Sequence, residues 1–486
     1  MYISKKEELS IKKTRVMFCT THWRTGGMER KMSNLFGELV KYHDVYLLTV
    51  GRSGGKIKVP SEVTNVVVSE KEYKLAYSRA AIREALKHKV DVVVGVMNLF
   101  SGQLDLYEEC KKNHIKTIAA NSEYFFYPYL NANNFGIVGR RQKVFADVDA
   151  VLWQTNFSAS VYAHINSNGY VVPNPNTFPV QDKLAAKDEK IVLCVGRFND
   201  YVKRIDRALL CFSKVLISEP NARLLIVGPC DIDLQMEELG NKSIRDLMMD
   251  LNISYSQVSF IGEVGMVEKY YQRASVLLLT SNNEGFSNVI SEAACFGLPV
   301  VYNEIPGHDD LVVDGLTGFA VKQDDMDSLA DKVVEVLRND ELRERMGREA
   351  SRHVSQFDIK NIASKWNLVI DRVTSKATDI ENKRLIKELG FKINDYFKFS
   401  TLLTSELNRI FQVSLGRNVV LANQLLHMED KLNSTTIRLT SELDELKSQY
   451  QAIVNSKAWR LASLTRHVVN IPRLILKYLT NRNKSV

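Results

Sequence analysis

The sequence predicts an α/β protein made of two doubly wound, parallel-sheet halves followed by a helical tail. Three observations carry that class. Short β-branched runs alternate with segments of helical periodicity as far as residue 354. A proline linker, PNPN at 173–176, divides the alternation into two parts of similar size. Beyond residue 374 the alternation gives way to apolar residues spaced by sevens.

In the first half, TRVMFCT (14–20) reads as a buried strand. A helix follows it over 27–41, with Met32, Leu35, Phe36, Leu39 and Val40 on one face. DVYLLTV (44–50), VDVVVGVM (90–97), KTIAA (116–120) and DAVLWQT (149–155) are the next strands. After the linker come IVLCVGR (191–197), a helix opened by Lys203 and running over 203–218, RLLIVG (223–228), VSFIGE (258–263), VLLLT (276–280) and LPVVYN (298–303). Helical periodicity returns at 326–338 and 340–354. The expected domains are 14–176 and 177–355. A helix at 356–373 returns toward the first domain, a helical or coiled-coil region covers 374–454, and a basic amphipathic tail covers 455–486.

Composition excludes a collagen, a wholly disordered chain and a disulfide-stapled mini-protein: 45% of the 486 residues are apolar and 25% charged. Six scattered cysteines with no CxxC give no zinc or redox spacing, and no metal site is expected. Residues 1–13 are too charged for the apolar core of a secretory leader, and no apolar run is long enough to span a bilayer. These features together predict a cytoplasmic protein.

Net charge is +8, and seven of those charges are carried by the last 32 residues, which contain no acid. With Trp459 and the neighbouring leucines, this tail reads as a dock on an anionic membrane surface, broken at Pro472; packing onto the protein body is the alternative. Nucleic acid is not expected, because stacking aromatics are nearly absent there. The heptads at Leu425, Leu432, Leu439, Leu446 and Ile453 suit a homo-oligomer or a partner protein, or a long helix packed on the body.

Three segments carry candidate chemistry. In SNNEGFSNVISEAACFGLPVV (281–301), Glu284 and Gly285 sit on a turn after a strand, with Phe286 next, and Ser287 is an N-cap. Asn288 opens a helix whose free amides suit a phosphate. Glu292, one turn on, can accept from two ribose hydroxyls; alternatively both glutamates only favour the helix's positive end. In VGRFNDYVKRIDRAL (195–209), Arg197 ends a strand and Lys203 follows it. Such a pair can neutralise a diphosphate, or be ordinary surface charge. In WRTGGMERK (23–31), Gly26 and Gly27 allow close backbone approach, without a dinucleotide fingerprint.

On G-G-M-E-R, V-G-R…K-R, G-H-D-D-L-V-V-D-G-L-T-G-F (307–319) and above all E-G-F-S-N-V-I-S-E-A-A-C-F-G-L-P-V, the chain resembles glycosyltransferase family 4 over residues 14–372. That is a retaining family with the two-domain GT-B fold. Asp310 stands where the family usually has Glu. The resemblance implies a nucleotide-sugar donor, a UDP-sugar in preference to GDP-mannose, with no metal or other cofactor. Gly27 would lie against the donor pyrophosphate, and Arg197 and Lys203 would stabilise the departing diphosphate. Glu284 would contact the transferred sugar, Ser287 and Asn288 the phosphate, and Glu292 the ribose. Ser122 falls where many members have an acceptor-side His. The segment IVNSKAWRLASLTR is similar to C-termini of bacterial surface-polysaccharide glycosyltransferases. The implied protein is a hexosyltransferase on the inner face of the cell membrane with a lipid-linked oligosaccharide acceptor, as in lipopolysaccharide synthesis. A GT-B epimerase or phosphorylase, or a non-catalytic nucleotide-sugar-binding scaffold, is the alternative.

Overall fold

The computed structural model describes residues 13–23, 27–51, 57–96, 101–121, 135–162, 168–181, 190–199, 202–236 and 239–374. It also describes Ser441 and Ser448, both helical. The chain forms two compact units, Met1–Asp395 and Tyr396–Val486. The expected coiled-coil seam and the basic tail 455–486 lie outside the described residues, as do Gly26 and Ser122.

The first unit contains two lobes. The first lobe runs β1 (Thr14–Cys19), α1 (Gly27–Leu39), β2 (His43–Val50), β3 (Thr64–Val68), α2 (Glu70–Lys87), β4 (Val92–Gly95), α3 (Ser101–Lys112), β5 (Lys116–Asn121), α4 (Phe135–Asp147), β6 (Ala150–Trp153), α5 (Asn156–Tyr162) and β7 (Gly169–Val171). Its strands form one parallel sheet of order β3-β2-β1-β4-β5-β6-β7. The second lobe runs β8 (Ile191–Val195), α6 (Ile205–Ser218), β9 (Arg223–Val227), α7 (Ile244–Asp250), β10 (Val258–Gly262), α8 (Glu268–Arg273), β11 (Val276–Leu279), α9 (Asn288–Cys295), β12 (Val300–Asn303), β13 (Gly318–Val321), α10 (Met326–Arg338) and α11 (Asp340–Val354). Its parallel order is β10-β9-β8-β11-β12-β13.

The central strands are buried on both faces, which is why they read as continuous apolar runs: Val92, Val93 and Val94 are inaccessible, as are Val276 and Leu277. Helix starts follow local chemistry. Ser69 and Glu72 form a reciprocal capping box on α2, and Asn339 accepts from the Leu342 amide at 2.9 Å to start α11. The amphipathic α6 buries Leu209, Phe212 and Val215 against the second sheet. A last helix, α12 (Ile359–Thr374), returns to the first lobe. There Trp366 packs on Phe18 at 5.5 Å and Asn367 bonds His43 at 3.0 Å.

Each sheet has one place where strand order reverses direction, β1 beside β4 and β8 beside β11. Ligands of open α/β sheets bind beyond the carboxyl ends of the strands at such points. The motifs at 27, 197–203 and 284–292 follow β1, β8 and β11, three of the four strands that flank the two reversals.

Three strands escape the sequence reading. β3, β7 and β13, of five, three and four residues, are edge strands defined by the single neighbour each pairs with rather than by an apolar run of their own. The expected helix at 203 begins instead at Ile205, because Arg204 takes a left-handed conformation (φ 48°) that ends the preceding loop. All six cysteines are free and five are buried. Among the described residues no helix is long and apolar enough to cross a membrane.

The end of β9 carries a constraint on the site. Gly228 has φ 127°, and a Cβ there would lie 1.9 Å from the Gly196 carbonyl oxygen, at the mouth of the Arg197 loop. Gly228→Ala is expected to destabilise the protein by about 3 kcal/mol in denaturant unfolding. Gly37→Ala, in open space on helix α1, should be neutral or gain up to about 1 kcal/mol. Equal stability of the two variants would contradict this packing.

Candidate active site between the two lobes

The turn from β11 into α9 is fixed from below and from the side. Phe286 is buried and meets Phe357 edge to face, with ring centroids 5.5 Å apart. The β8 loop is pinned to this turn by backbone and side chain. The Asn282 amide donates to the Val202 carbonyl at 2.8 Å, and Thr280 Oγ1 donates to the carbonyls of Lys203 and Arg204 at 3.2 and 3.0 Å. Arg204 forks onto Asp206 and reaches Asn282 Oδ1 at 3.0 Å. These bonds bring Lys203 and Glu284 together across 81 residues of sequence.

Lys203 Nζ donates to Glu284 Oε1, and Ser281 Oγ donates to the same oxygen at 3.0 Å. Burial works against the Glu284 charge, but Lys203 and its hydrogen bonds prevail and hold the carboxyl below the usual range. Gly196 leaves room for the lysine stem, whose carbons would lie 3.1–3.2 Å from a Cβ at that position. Arg197 is exposed at the end of the same loop and has no side-chain partner among the described residues. The two cations expected to act together are thus in different states, one committed to a carboxylate and one available.

Ser287 caps α9 in position but not in chemistry. It has the extended backbone of an N-cap, yet its hydroxyl makes no capping bond, is 1% exposed and has no hydrogen-bond partner. No acidic residue lies in the first turn of α9. The helix therefore presents unneutralised amide dipoles and an idle buried hydroxyl, a combination suited to an anion. Further along α9, Glu292 Oε2 accepts from Tyr271 Oη at 2.8 Å, and Tyr271 is stacked on Phe296 at 5.7 Å.

The first lobe contributes what sequence reasoning missed. Lys31, one turn into α1 from Gly27, is buried, and its Nζ donates to Asn288 Oδ1 on the facing lobe. Burial lowers its pKa to about 7, with Glu292 and Glu284 pulling the other way. Asn288 Oδ1 also accepts from Asn174 of the linker at 3.1 Å, and Asn174 accepts from Gln154, beyond β6, at 2.7 Å. These groups line a cavity of about 270 Å³ with Asn121, Glu284 and Gly285. Asn121 Oδ1 is buried there without a partner. Lys31 lies within the WRTGGMERK segment, but its partner 257 residues away left no local signal.

His308 is the other missed residue. It is inaccessible, neither ring nitrogen has a hydrogen-bond partner, and Tyr302 lies against it at 5.8 Å. Burial pushes its pKa down to about 4, with Glu284 opposing. Asp310, two residues on, crosses to the first lobe, accepting from the Asn156 amide at 2.6 Å and its side chain at 2.8 Å.

Residues 177–353, about a third of the chain, match the family model described as glycosyl transferases group 1. The chain is 24% identical over 356 residues to an uncharacterized glycosyltransferase of Haemophilus influenzae, covering 71% of this chain and 96% of that one. It is 25% identical over 376 residues, 74% of this chain and 99% of the other, to a protein of Campylobacter jejuni. That relative is an α-1,4-N-acetyl-D-galactosaminyltransferase named for a GalNAc-containing glycan on undecaprenol pyrophosphate. Among solved structures, Anabaena HepE with UDP and glucose superposes with a TM-score of 0.61 at 14% identity, covering 74% of this chain and all of HepE. The two lobes have the GT-B fold.

An imidazole that titrates near 6.5 when unfolded but near 4 when folded leaves the unfolded chain holding the extra proton, so stability falls as pH drops from about 6.5 toward 4. His308→Leu is expected to remove that component. Relative to wild type it should gain roughly 1–2 kcal/mol between pH 7.5 and pH 5. Parallel melting curves of the two proteins across that range would contradict a buried neutral His308.

Proposed function

We propose that this chain, whose residues 177–353 match the family model described as glycosyl transferases group 1, is a retaining hexosyltransferase. It takes a sugar from a nucleotide-sugar donor, a UDP-sugar in preference to GDP-mannose, and adds it to a lipid-linked glycan in bacterial surface-polysaccharide synthesis. One observation carries the reading: an uncapped helix N-terminus with an idle buried hydroxyl lies beside the Lys203–Glu284 pair at the edge where the strand order reverses, on the turn that the Arg197 loop is bonded to.

The donor diphosphate sits at the α9 N-terminus against Ser287 and Asn288, with Gly27 closing from the first lobe and Glu292 holding the ribose. Arg197 and Lys203 take the charge that develops on the leaving diphosphate, and the reading assigns that charge to them rather than to a metal ion. Glu284 faces the transferred sugar, whose anomeric bond opens through an oxocarbenium-like state. The acceptor attacks from the same face and passes its proton to the departing phosphate. The Campylobacter relative's undecaprenol-linked substrate supports a lipid carrier here. The basic segment 455–486 supports docking on an anionic membrane surface, the inner face of the cell membrane in this reading. The heptads of 374–454 supply self-association or a protein partner.

The test is a thermal-shift screen against UDP, GDP and ADP, followed by transfer assays with labelled nucleotide sugars and bacterial membranes. UDP should raise the melting temperature by mass action. Glu284→Ala and Arg197→Ala should each lower transfer by a factor on the order of 10²–10³ while the variants melt near wild type. Full activity in both would refute the site, and no stabilisation by any nucleotide would refute the donor class.

A further inference from the structure

Lys31 has the wrong sign for its position. Its ammonium is buried beside the N-terminus of α9, the positive pole of that helix, where a cation is disfavoured. Its only described hydrogen bond is to a neutral amide oxygen, Asn288 Oδ1, which already accepts from Asn174. Of the two second-lobe carboxylates that act on Lys31, Glu292 is engaged by Tyr271, and Glu284 by Lys203 and Ser281. Burying a charge without a dedicated counter-charge is costly. The same few ångströms hold an uncapped helix start and the unpartnered Ser287 hydroxyl. One kind of ligand satisfies all three at once: a multiply charged oxyanion.

We infer that Lys31 is a donor-phosphate ligand supplied by the first lobe, held on Asn288 until a nucleoside diphosphate arrives and takes its place as the lysine's partner. This rests on the proposed nucleotide-sugar reading and extends it. The other cations assigned to the diphosphate, Arg197 and Lys203, come from the second lobe, so an anion held by them alone would not draw the lobes together. Lys31 approaches from α1 and makes the anion a bridge between lobes. Asn288 is its resting partner because an amide oxygen orients the amine without supplying a counter-charge, leaving that role to phosphate. The titratable groups facing Lys31 are Glu284 and Glu292, with Lys203 beyond Glu284; Glu29 and Arg30 flank it on α1. With the lysine poised near neutrality and a phosphate adding negative charge beside it, nucleotide binding takes up a proton.

The experiment is calorimetry of the full chain with UDP, GDP and ADP at pH 7.0 and 8.5, using wild type, Lys31→Met and Lys31→Arg. For the nucleotide that binds, Lys31→Met should weaken affinity about tenfold or more at pH 7.0. Wild type should lose about tenfold between pH 7.0 and 8.5, whereas Lys31→Arg keeps its affinity across that range. A Lys31→Met protein with wild-type affinity and pH profile overturns the inference and leaves the nucleotide reading standing. So does a weakened Lys31→Met protein whose pH profile still matches wild type, since that marks a merely structural role. Wild type binding none of the three nucleotides overturns both. Wild-type titrations at pH 8.0 in two buffers of different ionisation enthalpy need no variant: net proton uptake supports the inference, and none overturns it.

Discussion

The start of α9 is a positive pole buried between two lobes with nothing of its own to neutralise it. A solvent-facing helix would meet that need with water or an N-cap hydroxyl. Here Ser287 occupies the cap and withholds its bond, and the first turn contains no acid. The surrounding structure holds this pole still. Phe286 anchors the turn on Phe357, Thr280 and Asn282 bind the β8 loop to it, and Tyr271 orients Glu292 behind it. An amide pole that cannot relax is more valuable for anion binding than one that can, because its dipoles are already aligned before the ligand arrives.

Specific polar contacts join the lobes beside the apolar cluster that both share with the last helix. Asp310 receives two donors from Asn156 across the cleft, while its own carbonyl accepts from His353 at 2.9 Å. In the linker, Asn174 joins Gln154 of one lobe to Asn288 of the other, and the Gln181 amide bonds the Cys295 carbonyl at 2.9 Å. The Asp310 carboxylate reaches the start of α5 directly, which gives a structural role to the position where the resembling family usually has a longer acid.

Sequence reasoning reached the strand–turn–helix at 276–295 because every cue there is local: an apolar strand, a glycine turn, a capping serine, an apolar helix face. It reached the β8 loop for the same reason. It placed Lys203 at a helix start because apolar residues with helical spacing (Ile205, Leu209, Phe212, Val215) follow it, and could not see that Arg204 would turn left-handed and reach Asp206 and Asn282. Lys31, Tyr271 and Asn174 were invisible for a different reason. Each acquires its meaning from a partner on another element, 257 residues away for Lys31 and 114 for Asn174, and nothing in the neighbouring residues encodes that distance. The short edge strands β3, β7 and β13 fall in the same class, since they are strands by virtue of the neighbour they pair with.

The unequal states of the two second-lobe cations bear on how such a site would work. Arg197 stands exposed and can meet an incoming anion first, at no cost in broken bonds. Lys203 is already paired, so a diphosphate must compete with Glu284 for it. On the proposed reading that competition is useful. As phosphate oxygens draw the ammonium away, Glu284 loses its strongest partner and keeps only Ser281, and its charge turns toward whatever lies beyond the phosphate, namely the sugar. Donor recognition and the poising of the carboxylate then become one event. An empty site keeps its acid quenched by an ion pair, and only a ligand with two negative groups in reach of both cations releases it.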